Sequence, residues 1–363
     1  MAFIEKLKPL AKKVEEEIRL YFDEIIEHVK PFGGFPLRYY SDIGDYILRG
    51  GKRLRPSLVL VAYDAVKGSE KEGKGNIKRA SLPLEFLHNA SLLHDDVIDL
   101  DKLRWGEKTF HVQYSDWHAQ YANNLVFKDP GHFGVSMAIL AGDLVWSLGL
   151  NAFFTSGFKG EPLMKAVNYF NTAYNEIIDG LILELDLTCK ETEVTEKDYF
   201  EVIRLKTAVL FEKACLIGAI LGGGVEKQIE ALSKYAIAMG KAFQIRDDIL
   251  GSFGVVETTG KGANSDIKTN KKTILVIKTL QEASKEQKKI LGNVLGKQNS
   301  TPEEIDMVRD IMQETGALTY AEKKAEEFVK IAKISLEEAE PPLEKKAMDW
   351  LIELVNFVVE RAY

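Results

Sequence analysis

The segment LLHDDVIDLDKLRWG, Leu92 to Gly106, carries three carboxylates, Asp95, Asp96 and Asp99, directly after the apolar run FLHNASLL. On a helix, residues four apart share a face, so Asp95 and Asp99 point the same way and Asp96 flanks them. A solvated acidic helix end is the ordinary reading of such a triplet. The apolar run before it argues instead for carboxylates that emerge from a core into a cavity. Clustered carboxylates raise one another's pKa unless a cation neutralises them. Hard oxygen donors suit Mg2+, which keeps several waters and bridges to substrate phosphates.

A second acidic pair, Asp247 and Asp248, stands in AFQIRDDILGSFG, with Gln244 one turn before Asp248. It too follows apolar sequence. Two such pairs, each leaving an apolar helix, suggest two facing walls of one metal–diphosphate site. Basic residues complete the pattern. GGKRLRP puts Lys52 and Arg55 just after a Gly-Gly hinge, where backbone and cations can approach a phosphate. RLKTA offers Lys206 and Thr207 inside a helical segment, and TGKGANSDIKTNKK adds Lys261, Lys268, Lys271 and Lys272. Singly, each has a plainer reading: Gly-Gly is usually a turn, a helical lysine snorkels to solvent, and a lysine run is often a solvated loop.

The elements that must hold these residues read as helices. Apolar residues recur at three- and four-residue spacing in IEKLKPLAKKVEEEIRLYFDEIIEHV, SLPLEFLHNASLLHDDVIDL and two long stretches near the end. PSLVLVAYDAV predicts a helix starting at Pro56, and STPEE one capped by Thr301 with Pro302 in its first turn. Strand alternation is scarce. GSFGVVETTGKGANSDIKTNKKT reads as a long loop, and Ser115 to Gly134 as an irregular aromatic-polar insertion. No flexible linker divides the chain, so one all-α domain over residues 1–363 is predicted.

Bulk properties bound the rest. At 363 residues and 45% hydrophobic, the chain can bury a large core. A net charge of -7 argues against a nucleic-acid partner. Two cysteines, Cys189 and Cys215, make no disulfide framework and no C-x-x-C site. The N-terminal stretch lacks the pattern of a signal peptide. The longest apolar run, ACLIGAILGGGV, is too short to span a bilayer. A soluble, cytoplasmic protein without a transmembrane segment is expected.

Together, GGKRLRP, LHNASLLHDDVIDLDKLRWG, AILAGDL, RLKTA, FQIRDDILGSFG and SDIKTNKKTILV resemble, in order, the landmarks of the trans-isoprenyl diphosphate synthases, a family of polyprenyl and geranylgeranyl diphosphate synthases. Each piece is weak; the combination, from Gly50 to Val276, is specific. The resemblance implies an isoprenoid-synthase-type helical bundle around a central cavity, homodimeric, with two or three Mg2+ ions per site. It implies condensation of isopentenyl diphosphate with an allylic prenyl diphosphate. By match, Asp95, Asp96 and Asp99 form the first metal site, and Asp247 and Asp248 the second. Lys206, Thr207, Gln244, Lys261, Lys271 and Arg104 match positions lining the allylic diphosphate. Lys52, Arg55 and His88 match the isopentenyl diphosphate pocket.

Three positions depart from the family pattern. Trp105 stands where a second arginine, reaching isopentenyl diphosphate, is common, and an indole cannot replace a guanidinium fork; either Lys108 or another cation substitutes, or affinity for that substrate falls. Gly251 stands where many members carry a third aspartate. Leu181 and Glu184 occupy places usually held by Gln and Asp; Glu184 keeps a carboxylate, whereas Leu181 keeps no amide. The helix before Asp95 should also line the growing chain, since one turn rises ~5.4 Å, close to one isoprene unit. Ser91 and Ala90, one turn back, are small, where short-chain members tend to place an aromatic ring. Leu87 and Leu84 are the next candidate floors; Trp146 could close the tunnel from another helix, although a core tryptophan is the commoner reading. A twenty-carbon or somewhat longer product is predicted. The competing reading is a weakly active or non-catalytic regulatory subunit of a heteromeric synthase, prompted by Trp105 and the insertion. A terpene cyclase of the same fold would not need GGKRLRP and His88.

Overall fold

The computed structural model describes residues 2–66, 75–121, 129–189, 194–254 and 265–360. These residues are helical apart from one two-stranded ribbon and the connections, as the apolar periodicity predicts. The chain divides into two compact units, Met1–Phe170 with Leu216–Gly224, and Asn171–Cys215 with Val225–Tyr363.

In the first unit, α1 (Ala2–Val29), α2 (Gly34–Arg49) and α3 (Leu54–Val66) lead to α4 (Ile77–Ile98), the helix of the first acidic segment. Asn76 caps α4, its side-chain oxygen accepting from the N–H groups of Lys78 and Arg79. From Arg79 to Leu87 every residue of α4 is buried, so this is a core helix rather than a surface one. Buried ion pairs orient it. Arg79 Nε donates to Glu17 Oε1 at 2.6 Å, and its other two nitrogens grip both oxygens of Glu24. Arg53 Nη1 donates to Glu85 Oε1 at 2.6 Å. Burial of such groups is tolerated because each charge is paired and hydrogen-bonded.

After α4 comes an antiparallel ribbon, β1 (Leu103–Arg104) and β2 (Glu107–Lys108), with Leu103 opposite Lys108 and Arg104 opposite Glu107. It was not legible as strand because two residues are too few for alternation to register. Then follow α5 (Phe110–Tyr121) and α6 (Pro130–Phe154). The expected irregular insertion is therefore helical at both ends; residues 122–128 lie outside the described residues. Asp129 caps α6, with Pro130 at its first position. By length and composition α6 could cross a membrane. Ala138, Ala141, Val145 and Phe153 are nevertheless buried in the unit's own core.

Helix α7 (Gly160–Cys189) continues into the second unit, where α8 (Glu196–Ile203), a π-helical turn (Arg204–Ala208), the start of α9 (Val209–Gly222) and α10 (Glu226–Phe253) follow. The cap predicted at Thr301 is present, and Glu304 extends it to a capping box by accepting from the Thr301 N–H. Helix α3 starts two residues before the predicted Pro56; a proline in the first turn loses no helical bond. Of the long glycine- and lysine-rich loop, Ser265–Thr269 forms a short helix, and residues 255–264 lie outside the described residues. Ile245 and Ile249 of α10 pack into a core with Ile267, Ile274, Leu275 and Ile311. That burial fixes the face of α10 on which the second acidic pair stands.

Candidate active site

The first acidic segment occupies the last turns of α4. Asp99 caps the helix, its N–H donating to the Asp95 carbonyl at 2.8 Å. This is the negative end of the helix dipole, and the last turn holds no basic residue. Asp96 points inward and is 1% exposed. Arg104 Nε donates to its Oδ1 at 2.6 Å, Arg104 Nη2 reaches the same oxygen, and Tyr46 Oη donates to Oδ2 at 3.3 Å. Burial lifts the Asp96 pKa above the usual carboxylate range, and the Arg104 hydrogen bond pulls against it. Burial, with the Asp96 charge, likewise raises Tyr46.

The Arg-Trp-Gly sequence is the turn of the ribbon. Trp105 and Gly106 have φ of 53° and 81°, the two positive values that a two-residue type I′ hairpin needs. A tryptophan there is uncommon, because a side chain crowds the left-handed region. Packing holds it. The indole lies over Gly50, where an added Cβ would come within 2.6 Å of Trp105 Cδ2, and its ring stands 5.9 Å from that of Tyr46. Gly50 is thus glycine because Trp105 covers it, and Gly51 because its φ is 101°. Arg49 Nη1 ties the ribbon to α2 through the Lys108 carbonyl at 2.9 Å. Lys108 itself pairs with Asp116 at 2.7 Å.

Beyond the hinge, Lys52 is exposed and Arg55 partly buried, whereas Arg53 turns into the core. His88 lies in the field of Arg55, Arg104 and Arg53, and burial, reinforced by those charges, holds its pKa well below the ordinary imidazole value. On the same α4, Leu84, Leu87 and Ala90 are buried, while Ser91 is partly exposed, its hydroxyl donating to the His88 carbonyl at 2.8 Å. Trp146 stacks on Phe170 with centroids 6.1 Å apart.

In the second unit, the π-helical turn carries Lys206 and Thr207, and such turns are common at functional sites. Thr207 Oγ1 donates to Gln244 Oε1 at 2.8 Å, Gln244 Nε2 donates to Asp248 Oδ1 at 2.8 Å, and Tyr199 Oη donates to Asp248 Oδ2 at 2.7 Å. Lys271 Nζ lies 3.6 Å from Asp248 Oδ1. Lys206 Nζ pairs with Glu184 Oε2 at 2.6 Å. Burial raises Asp248, and Lys271 opposes it. Burial alone would lower Lys271, but the charges of Asp248, Asp266, Glu184 and Asp247 lift it above the ordinary lysine value. Thr207, Gln244, Asp248 and Lys271 are therefore brought together, and Lys206 pairs with Glu184, whose charge also acts on Lys271. Asp247 is partly buried beside Asp248, and Lys261 lies outside the described residues.

Among the described residues no three His, Cys, Asp or Glu side chains converge as a ready metal cage. The reason is visible in each acidic group: Asp96 is turned to Arg104, and Asp248 to Tyr199, Gln244 and Lys271. Asp95 and Asp99, one turn apart at a helix C-terminus, fit a hard cation that keeps part of its shell for water and phosphate. Asp247 fits the same chemistry. Tyr46, Tyr199 and Arg53 were missed in the sequence because their partners lie 30 or more residues away.

The polyprenyl synthetase family model matches residues 38–312. The chain is 33% identical to a geranylgeranyl diphosphate synthase of Saccharolobus solfataricus over 353 residues, covering 95% of this chain and 98% of that one. It is 32% identical to a geranylfarnesyl diphosphate synthase of Aeropyrum pernix, covering 87% and 92%. A geranylgeranyl pyrophosphate synthase of Corynebacterium glutamicum, crystallised with isoprenyl diphosphate and magnesium, superposes with a TM-score of 0.89 at 29% identity, covering 98% of this chain and 99% of that one. The chain therefore belongs to the polyprenyl synthetase family, and its activity is that of a chain-elongating prenyltransferase.

Proposed function

We propose that the enzyme condenses isopentenyl diphosphate with an allylic prenyl diphosphate to give geranylgeranyl diphosphate or a somewhat longer all-trans product. The small residues Ala90 and Ser91 one turn before Asp95 carry this reading, because neither side chain has a ring that could stop a chain growing toward Leu87 and Leu84. The two compact units are read as one catalytic domain, which the family match running from 38 to 312 supports. Asp95, Asp99 and Asp247 would hold Mg2+, in two or three ions, with Asp96 and Asp248 as their buried neighbours. Bound there, Mg2+ supplies charge stabilisation to a departing diphosphate.

This chain's own residues do the rest. Lys206 and Lys271, with Lys261 and Arg104, attract the allylic diphosphate and neutralise the charge that grows on it as the C–O bond breaks. The Thr207–Gln244–Asp248 relay fixes the orientation of Gln244 near that group. Lys52, Arg55 and neutral His88 bind isopentenyl diphosphate, whose double bond attacks the allylic cation. The released diphosphate is then the base for the departing proton. Exposed Ile139, Leu140 and Phe154 on α6 support a homodimer, since a second copy would cover them. A cytoplasmic enzyme belongs to the same reading.

Product chromatography tests it: the purified chain is incubated with Mg2+, isopentenyl diphosphate and five-, ten- or fifteen-carbon allylic primers. The expected product has twenty carbons or more. A fifteen-carbon stop overturns the chain-length reading, and no elongation with any primer overturns the activity.

A further inference from the structure

Arg53 stands between Lys52 and Arg55, yet it turns into the core and is only 2% exposed. Its φ is 52°, in the left-handed region that crowds any side chain. Such a conformation persists only where the surroundings enforce it.

Two helices supply the enforcing contacts. Arg53 Nη1 donates to Glu85 Oε1 on α4 at 2.6 Å, and Arg53 Nε donates to Glu15 Oε1 on α1 at 3.3 Å. Glu85 is itself buried and lies three residues before His88. Asn89, beside His88, donates its Nδ2–H to the Glu85 carbonyl at 2.8 Å. The Arg53 carbonyl accepts from the Ser57 N–H at 3.1 Å, so Arg53 also opens α3, the helix that carries Arg55. On the other side of Lys52, a Cβ added to Gly51 would come within 3.3 Å of Arg53 Nη1. A buried ion pair is often no more stable than an apolar pair of the same volume. Stability alone therefore gives no reason for an arginine at this strained position.

We propose that Arg53 is a positioning residue for the second substrate: locked to Glu85 and Glu15, it fixes the backbone from which Lys52 and Arg55 reach isopentenyl diphosphate and ties that backbone to the turn of α4 carrying His88. The proposal rests on the reading of Lys52, Arg55 and His88 as the isopentenyl diphosphate pocket.

The test separates the two substrates. Steady-state kinetics of the full-length chain with Mg2+ gives a KM for isopentenyl diphosphate and one for a fifteen-carbon allylic primer, with thermal unfolding of each variant alongside. Arg53→Met/Glu85→Leu replaces the pair by apolar side chains and should unfold near the wild-type temperature. Its KM for isopentenyl diphosphate should rise about tenfold or more, as displaced binding groups predict, with the primer KM unchanged. Lys52→Ala, the control for the pocket, should raise the same KM. A rise in Lys52→Ala with none in the folded double variant overturns this proposal alone, and a rise in neither overturns the pocket reading beneath it. An equal rise for both substrates marks a general structural loss and also overturns the proposal. Should the double variant fail to fold, Arg53→Lys decides, since it keeps the charge but not the fork that spans two carboxylates. A higher KM for isopentenyl diphosphate alone supports the positioning role, and wild-type values for both substrates reject it.

Discussion

Asp96 and Arg104 form a buried ion pair in which the arginine Nε donates to Asp96 Oδ1 at 2.6 Å, eight residues along the chain. The pair joins the end of α4 to the ribbon, and Tyr46 completes it from α2. Removing one partner strands a charge. Arg104→Met should therefore cost about 3–5 kcal/mol in urea unfolding, and Arg104→Met/Asp96→Asn distinctly less. A single-variant loss below about 1 kcal/mol would show that the pair does not organise this corner.

Gly50 and Trp105 should be coupled. Gly50→Ala drives a methyl group into the indole and is expected to destabilise the fold by about 1–3 kcal/mol. With Trp105→Ala in the background, most of that cost should vanish. The coupling energy from a double-mutant cycle measures it, and additive losses would mean that the indole does not rest on Gly50 in solution.

Asp95→Ala and Asp247→Ala should each lose most activity while remaining folded. A loss of about 3–4 kcal/mol of transition-state stabilisation corresponds to roughly 10²–10³ in rate. Steady-state kinetics with circular dichroism checks this. Near-wild-type turnover by either folded variant would remove that residue from the site.

Ser91→Phe should shorten the product by filling the turn before Asp95. Chromatography of the reaction products reads the outcome directly, and an unchanged product distribution rejects the tunnel assigned to this face of α4.

His88 makes stability depend on pH. Its folded pKa lies well below the ordinary value, through burial and the arginines around it. The unfolded chain therefore binds a proton first as pH falls, and stability drops below an unfolded value of about 6.5. Each pH unit in that window costs up to about 1.4 kcal/mol. His88→Gln should flatten this slope between about pH 6.5 and 5 in denaturant titrations, and an unchanged slope would assign the dependence elsewhere.

Much of the site was legible because it lies within single helices. Asp95 and Asp99 are one turn apart, and so are Gln244 and Asp248; four-residue spacing on a helix puts side chains on one face whatever surrounds it. The Thr301 cap was legible for the same reason, a side chain bonding its own backbone three residues on. The ribbon was not, since two-residue strands carry no alternation. Trp105 read as a missing cation; its position over Gly50 gives it a packing role instead.

The sequence by itself determined the all-helical class, the acidic and basic segments and their order, because helical periodicity and local spacing are properties of neighbours in the chain. Only the tertiary structure decided which carboxylates are committed to protein partners. Asp96 meets Arg104 and Tyr46, Asp248 meets Tyr199 and Lys271, Glu184 meets Lys206, and Asp266 fills the space above Gly251. A buried charge must find a partner of opposite sign or a hydrogen-bond donor. Which residue supplies it depends on how the helices pack, and no spacing along the chain records that.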